Sequence, residues 1–91
     1  MTRLLAIFAI LFTLSLAQGC DECQTVLAAV NSRIHRDMSS RQIYTIIHDV
    51  CSGPQYADMC EEHVSRYINT IADLFASGYI PNQICRMIGK C

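Results

Sequence analysis

Cys51-Ser52-Gly53-Pro54-Gln55-Tyr56-Ala57-Asp58-Met59-Cys60 is the stretch that decides how the chain folds. Ser52-Gly53-Pro54 stops a helix, and apolar residues recur at helical spacing on both sides, so the two cysteines flank a turn between two helices. An antiparallel hairpin brings them close. Outward from this centre, Cys20-x2-Cys23 stands at one end and Cys85-x5-Cys91 at the other. Six cysteines allow many pairings and sequence alone selects none of them. The economical solution is nested, with Cys51 to Cys60 across the hairpin and Cys23 to Cys85 and Cys20 to Cys91 stapling the first helix to the last. On the chain-entropy estimate the innermost loop contributes about 3 kcal/mol and the outermost about 4.4, without additivity. That is comparable to the whole stability of a small domain.

The helices read from periodicity. Cys23, Val26, Leu27, Val30 and Ile34 lie on one helical face, with Asp21 and Glu22 in the first turn where carboxylates suit the dipole, and a first helix is expected over 21–37. Ser39-Ser40-Arg41-Gln42 has the form of a capping box ahead of Ile43, Ile46, Ile47 and Val50, so a second helix is expected to end near Cys51. A third run begins near Gln55 or Tyr56 and carries Met59, Cys60, Val64, Tyr67 and Ile68 on towards Ile71, Leu74 and Phe75. Unbroken, it would be a rod of about 30 Å, so a kink is expected near Asn69-Thr70. Ser77-Gly78 ends it. Pro81 then opens a short last helix with Ile84, Cys85 and Ile88 on one side, closed by Gly89.

Residues 1–19 read as a secretory signal peptide rather than a buried helix or an anchor. Met1-Thr2-Arg3 is a charged start, and Leu4 to Leu16 is apolar apart from Thr13 and Ser15, too short to cross a hydrocarbon core of about 30 Å comfortably. Small residues precede two cuts, Ser15 and Ala17 for a start at Gln18, Ala17 and Gly19 for a start at Cys20. The sequence leaves both open. Residues 20–91 then form one domain too small for a generous core, in a chain exported to an oxidising compartment where an even cysteine count means disulfides. Zinc would need a second C-x2-C or H-x3-H, which the sequence lacks, and no strand and helix alternation supports a redox use of Cys20-x2-Cys23. No metal or cofactor is expected.

From Cys20 onward six basic residues stand against eight acidic ones, a net charge of −2. No clustered basic excess points to nucleic acid. His35, His48 and His63 add up to three charges as pH falls past the ordinary histidine pKa of about 6.5, bringing the sum to about +1.

The spacing of the three cysteine pairs, with Tyr79-Ile80-Pro81-x3-Cys85 leading to the last, resembles the saposin-like family, that is, a saposin B-type domain over residues 20–91. The resemblance implies an all-α, compact fold of four to five helices, the nested disulfides Cys20–Cys91, Cys23–Cys85 and Cys51–Cys60, and interaction with lipids. With one module after the leader, the chain is most similar to the small single-domain members of amoebapore and caenopore type. It departs from the amoebapores in having no histidine within Arg86-Met87-Ile88-Gly89-Lys90, and from the strongly basic lytic members in its negative charge.

Two functional readings follow. In the first, a secreted protein permeabilises microbial membranes, favoured by acidic pH and with copies assembling on the membrane. His35, His48, His63, Arg33, Arg36, Arg41, Arg86 and Lys90 are then the candidates that meet anionic head groups, each well-placed charge being worth up to about 1 kcal/mol. In the second, a soluble module binds lipids and presents them to a hydrolase. The chain has no N-x-[ST] sequon, since Asn31, Asn69 and Asn82 all lack a hydroxyl residue two positions on, and this tilts the reading to the first. No G-x-S-x-G, H-E-x-x-H or comparable set points to an enzyme. Val26, Val30, Ile46, Ile47, Val64, Ile68 and Leu74 are expected in the core.

Overall fold

A computed structural model describes residues 19–91; the expected signal peptide lies outside the described residues save for Gly19. Within them the chain is all-helical: α1 (Cys20–Asn31), α2 (Ser40–Ser52), α3 (Ala57–His63), a 3-10 turn (Ser65–Tyr67), α4 (Ile68–Ala76) and α5 (Pro81–Met87). Helix α1 packs against α2, α3 and α5, while α2 lies along α4. The core sits between them. Leu27, Ile43, Ile47, Ile71 and Ile84 are its largest fully buried side chains, joined by Val26, Val30 and Val64. Ile46, Ile68 and Leu74, expected inside, are only half-buried at its margin, because each lies at the edge of its helix's apolar face.

Helix α1 stops at Asn31, six residues before the boundary expected from periodicity. The Ser32 hydroxyl donates to the Ala29 carbonyl at 2.7 Å, and the amides of Arg33 and Ile34 turn back to Val30 and Asn31 in tighter i−3 bonds. Asp37 then adopts φ 68°, which no right-handed helix contains. Ile34 still packs on the core, from the loop rather than the helix face.

Helix α2 starts as its sequence dictates. Ser39 Oγ accepts from the Gln42 amide at 3.2 Å, and the Ser39 amide donates to Gln42 Oε1 at 2.9 Å. Two orphan donors are satisfied by one pair.

The third run breaks earlier than expected, at Val64 to Tyr67 rather than at Asn69-Thr70, through the 3-10 turn. Cys60 on α3 and Val64 at its C-cap are buried where α3 packs against α1 and α2, whereas Ile71, Ala72 and Phe75 are buried on α4, which lies along α2 and meets α5. One straight helix could not reach α1 with its first half and α5 with its second while both lie on α2. Helix α4 ends in a Schellman motif, with the Gly78 amide bonded to Phe75 O at 3.0 Å, the Tyr79 amide to Leu74 O at 3.1 Å, and Gly78 at φ 96°. Helix α5 ends the same way: the Gly89 amide bonds Arg86 O at 3.1 Å and the Lys90 amide bonds Cys85 O at 2.8 Å. This second turn aims Cys91 back at α1.

Three disulfides close the bundle: Cys20–Cys91, Cys23–Cys85 and Cys51–Cys60, with Cα separations of 4.7, 6.0 and 5.6 Å. Cys23, Cys60 and Cys85 are buried in the core, so the two inner bridges also replace apolar packing. Beside the outermost bridge Gln24 Nε2 donates to Asn82 Oδ1 at 3.1 Å, a further tie from α1 to α5.

Candidate functional site

The distinctive surface feature begins at the α4 to α5 connection. Gly78 turns the chain, Pro81 occupies the first position of α5, and the residue before a proline is held extended, as Ile80 is at φ −93° and ψ 161°. The Ile80 amide is satisfied by Gln83 Oε1 at 3.1 Å. Its side chain has no such anchor and is 55% exposed. Met87, in the last turn of α5, is 53% exposed, and Tyr79 is 39% exposed. Three large apolar side chains thus stand in water along one edge.

Cations flank this edge. Arg86 joins Tyr79, Gln83 and Met87 around a shallow groove of about 270 Å³. On the other side of Tyr79 and Ile80, a groove of about 330 Å³ runs to the loop between α1 and α2, where His35 and Arg36 line it with Ile34 and Met38, and the Asp37 carboxylate lines it beside them. The loop holds its shape through Asp37 in the left-handed region and through the His35 amide, which points at Met38 Sδ 3.2 Å away. His35, Arg36 and Arg86 are all exposed. An apolar rim with cations on both flanks can insert side chains into a lipid interface while its charges meet phosphates.

The remaining candidates lie elsewhere. Arg33 Nη1 is bonded to Asp49 Oδ2 at 2.9 Å. Arg41 lines a separate groove between α2 and α4 that also holds Tyr44 and Asp73, so a carboxylate shares its setting. His48 is exposed and stacks on the Tyr44 ring, with centroids 6.5 Å apart. His63 ends α3 with its side chain only 14% exposed and Nε2 3.5 Å from Glu62 Oε2. Lys90 is half-buried next to the last bridge.

Sequence reasoning named the cations and passed over Tyr79, Ile80 and Met87 as contact residues. A signal was present. Tyr79 and Ile80 are bulky apolar residues in a Gly-to-Pro connection, and Met87 lies off the Ile84, Cys85 and Ile88 face of α5. Among the described residues no group of three or more histidine, cysteine or acidic side chains is placed to hold a metal ion, and no helix is long and apolar enough to cross a membrane.

Residues 58–91 match the family model described as saposin-like type B, region 2, which covers α3 through the last disulfide. Comparisons with curated proteins and with solved structures find no significant match. Members of this family are in general lipid-interacting rather than catalytic proteins. The matched C-terminal region, five helices among the described residues and three disulfides together support a saposin-like fold and a place near the saposin-like family.

Proposed function

We propose that this is a secreted, membrane-active protein of the amoebapore and caenopore type, which permeabilises microbial membranes and does so best in an acidic lumen. The N-terminal apolar segment, ending at Ala17 or Gly19, acts in this reading as the leader that delivers it to an oxidising compartment, and copies assemble on anionic bilayers. The observation that carries the reading is the exposed edge of Tyr79, Ile80 and Met87 with Arg86 on one flank and His35 and Arg36 on the other. Apolar side chains supply insertion, and the cations supply attraction to anionic head groups. His35 stands on that edge and His48 is exposed on α2.

Dye release from anionic vesicles tests this. The oxidised protein is expected to release dye faster at about pH 5 than at about pH 7.4. Equal or absent release at both, with lipid co-purifying in a soluble complex, decides for the second reading, a carrier that presents lipids to a hydrolase. The groove lined by Ile34, Met38, Phe75, Tyr79 and Ile80 favours that carrier reading, since it offers apolar wall to a chain segment.

A further inference from the structure

Two leader cuts fit the sequence, after Ala17 and after Gly19, and Gly19 itself distinguishes them. It is buried and holds φ 98°, a region that only glycine enters freely. Its carbonyl accepts the Cys23 amide at 2.9 Å, the first hydrogen bond of α1. Its Cα faces the His63 ring so closely that a Cβ there would lie 2.7 Å from Nδ1 and 2.8 Å from Cε1. That Nδ1 is buried and has no hydrogen-bond partner among the described residues. Gly19 is therefore a built part of the domain, joining the start of α1 to the end of α3. A cut after it would remove the first acceptor of α1, uncover the His63 ring and leave the Cys20 ammonium at the positive end of the helix dipole, the unfavourable sign.

We propose that the precursor is hydrolysed between Ala17 and Gln18, that Gly19 is thereby kept in the mature domain, and that the new N-terminal glutamine closes to pyroglutamate. The proposal rests on reading the first 17 residues as a leader. Hydrolysis adds water across the Ala17–Gln18 peptide bond, leaving a carboxyl on Ala17 and an amine on Gln18. The amine nitrogen then attacks Cδ of its own carboxamide. The lactam C–N bond forms, the Cδ–Nε2 bond breaks, and ammonia leaves with the displaced nitrogen. No oxidant or reductant takes part. The terminal positive charge disappears, so the chain enters α1 without a cation opposing the dipole.

The test is to express residues 1–91 in a eukaryotic secretory host, then to measure the intact mass of the secreted product and sequence its N-terminal peptide. The expected result is a single species beginning at residue 18, lighter by one ammonia than the open glutamine form. A product beginning at Cys20 overturns the assignment of the cut while leaving the leader reading standing, and a product retaining the leader overturns both. A Gln18 start with a free amine overturns the cyclisation. A second precursor, Ser15→Phe, blocks the small-residue requirement of the first cut alone. It is expected to stay unprocessed or to yield a Cys20 product that melts at least about 4 °C below the wild type. A Cys20 product melting with the wild type overturns the structural role given to Gly19.

Discussion

Arg33 on the loop after α1 is bonded through Nη1 to Asp49 Oδ2 of α2 at 2.9 Å, which takes one cation out of the surface available to an anionic partner. Both side chains are more than half exposed, so the pair contributes at most about 1 kcal/mol to stability. Asp49→Asn is expected to leave the melting temperature nearly unchanged and to strengthen sedimentation with anionic vesicles up to about fivefold, since a freed arginine near the surface is worth about 1 kcal/mol. Unchanged binding in low salt would show that this face of the molecule does not approach the bilayer.

Ile80 and Met87 are the sharpest test of the apolar edge, because neither supports the core. Ile80→Ser and Met87→Ser are each expected to shift stability by no more than about 0.5 kcal/mol. Burying a side chain of this size is worth about 1.5–3 kcal/mol, so each change is expected to lower vesicle partitioning about tenfold or more where insertion is complete. Leu27→Ala gives the opposite pattern, a loss of about 2–5 kcal/mol in folding from a fully buried position. Partitioning unchanged in the Ile80→Ser, Met87→Ser double variant would remove this edge from the mechanism.

The reciprocal bonds of Ser39 and Gln42 make a local prediction that does not depend on function. Ser39→Ala is expected to cost about 0.5–2 kcal/mol. In a domain of this size that lowers the melting temperature by about 4–8 °C per kcal/mol. A double-mutant cycle with Gln42→Ala is expected to show coupling, because each side chain satisfies the other's backbone amide. Strict additivity would mean that the two bonds form independently.

The nested bridges are expected to be unequal. Replacing both Cys51 and Cys60 by alanine removes a staple of sequence separation 9 that no other bridge duplicates, at an expected cost of about 2–5 kcal/mol. Replacing Cys20 and Cys91 leaves Cys23–Cys85 closing most of the same loop. Its cost is therefore expected to fall well below the roughly 4.4 kcal/mol of an isolated loop of that length. Denaturant melts of the two double variants compare them directly. A larger loss for the Cys20, Cys91 variant would mean that native contacts at the chain ends, such as Gln24 with Asn82, outweigh loop entropy.

By itself the sequence determined what short-range chemistry determines. Val26, Leu27 and Val30 share a face because helical spacing puts them there, and Ser39 with Gln42 caps α2 because the two reach each other across one turn. Gly53-Pro54, Gly78 and Gly89 mark helix ends by backbone preference alone. The all-helical class followed from those signals, and the cysteine spacing carried the saposin-like resemblance. The tertiary structure decided whatever depends on partners distant in the chain. Helix α1 ends at Asn31 rather than Asp37 because the loop must turn to bring α2 alongside, and the third run breaks at Val64 because α3 packs against α1 as well as α2, whereas α4 lies along α2 and meets α5. Pairing Arg33 with Asp49, seating the His63 ring on Gly19 and leaving Tyr79, Ile80 and Met87 in water are likewise outcomes of packing. Periodicity states which face of a helix is apolar, but only the packed neighbours determine how much of that face is covered.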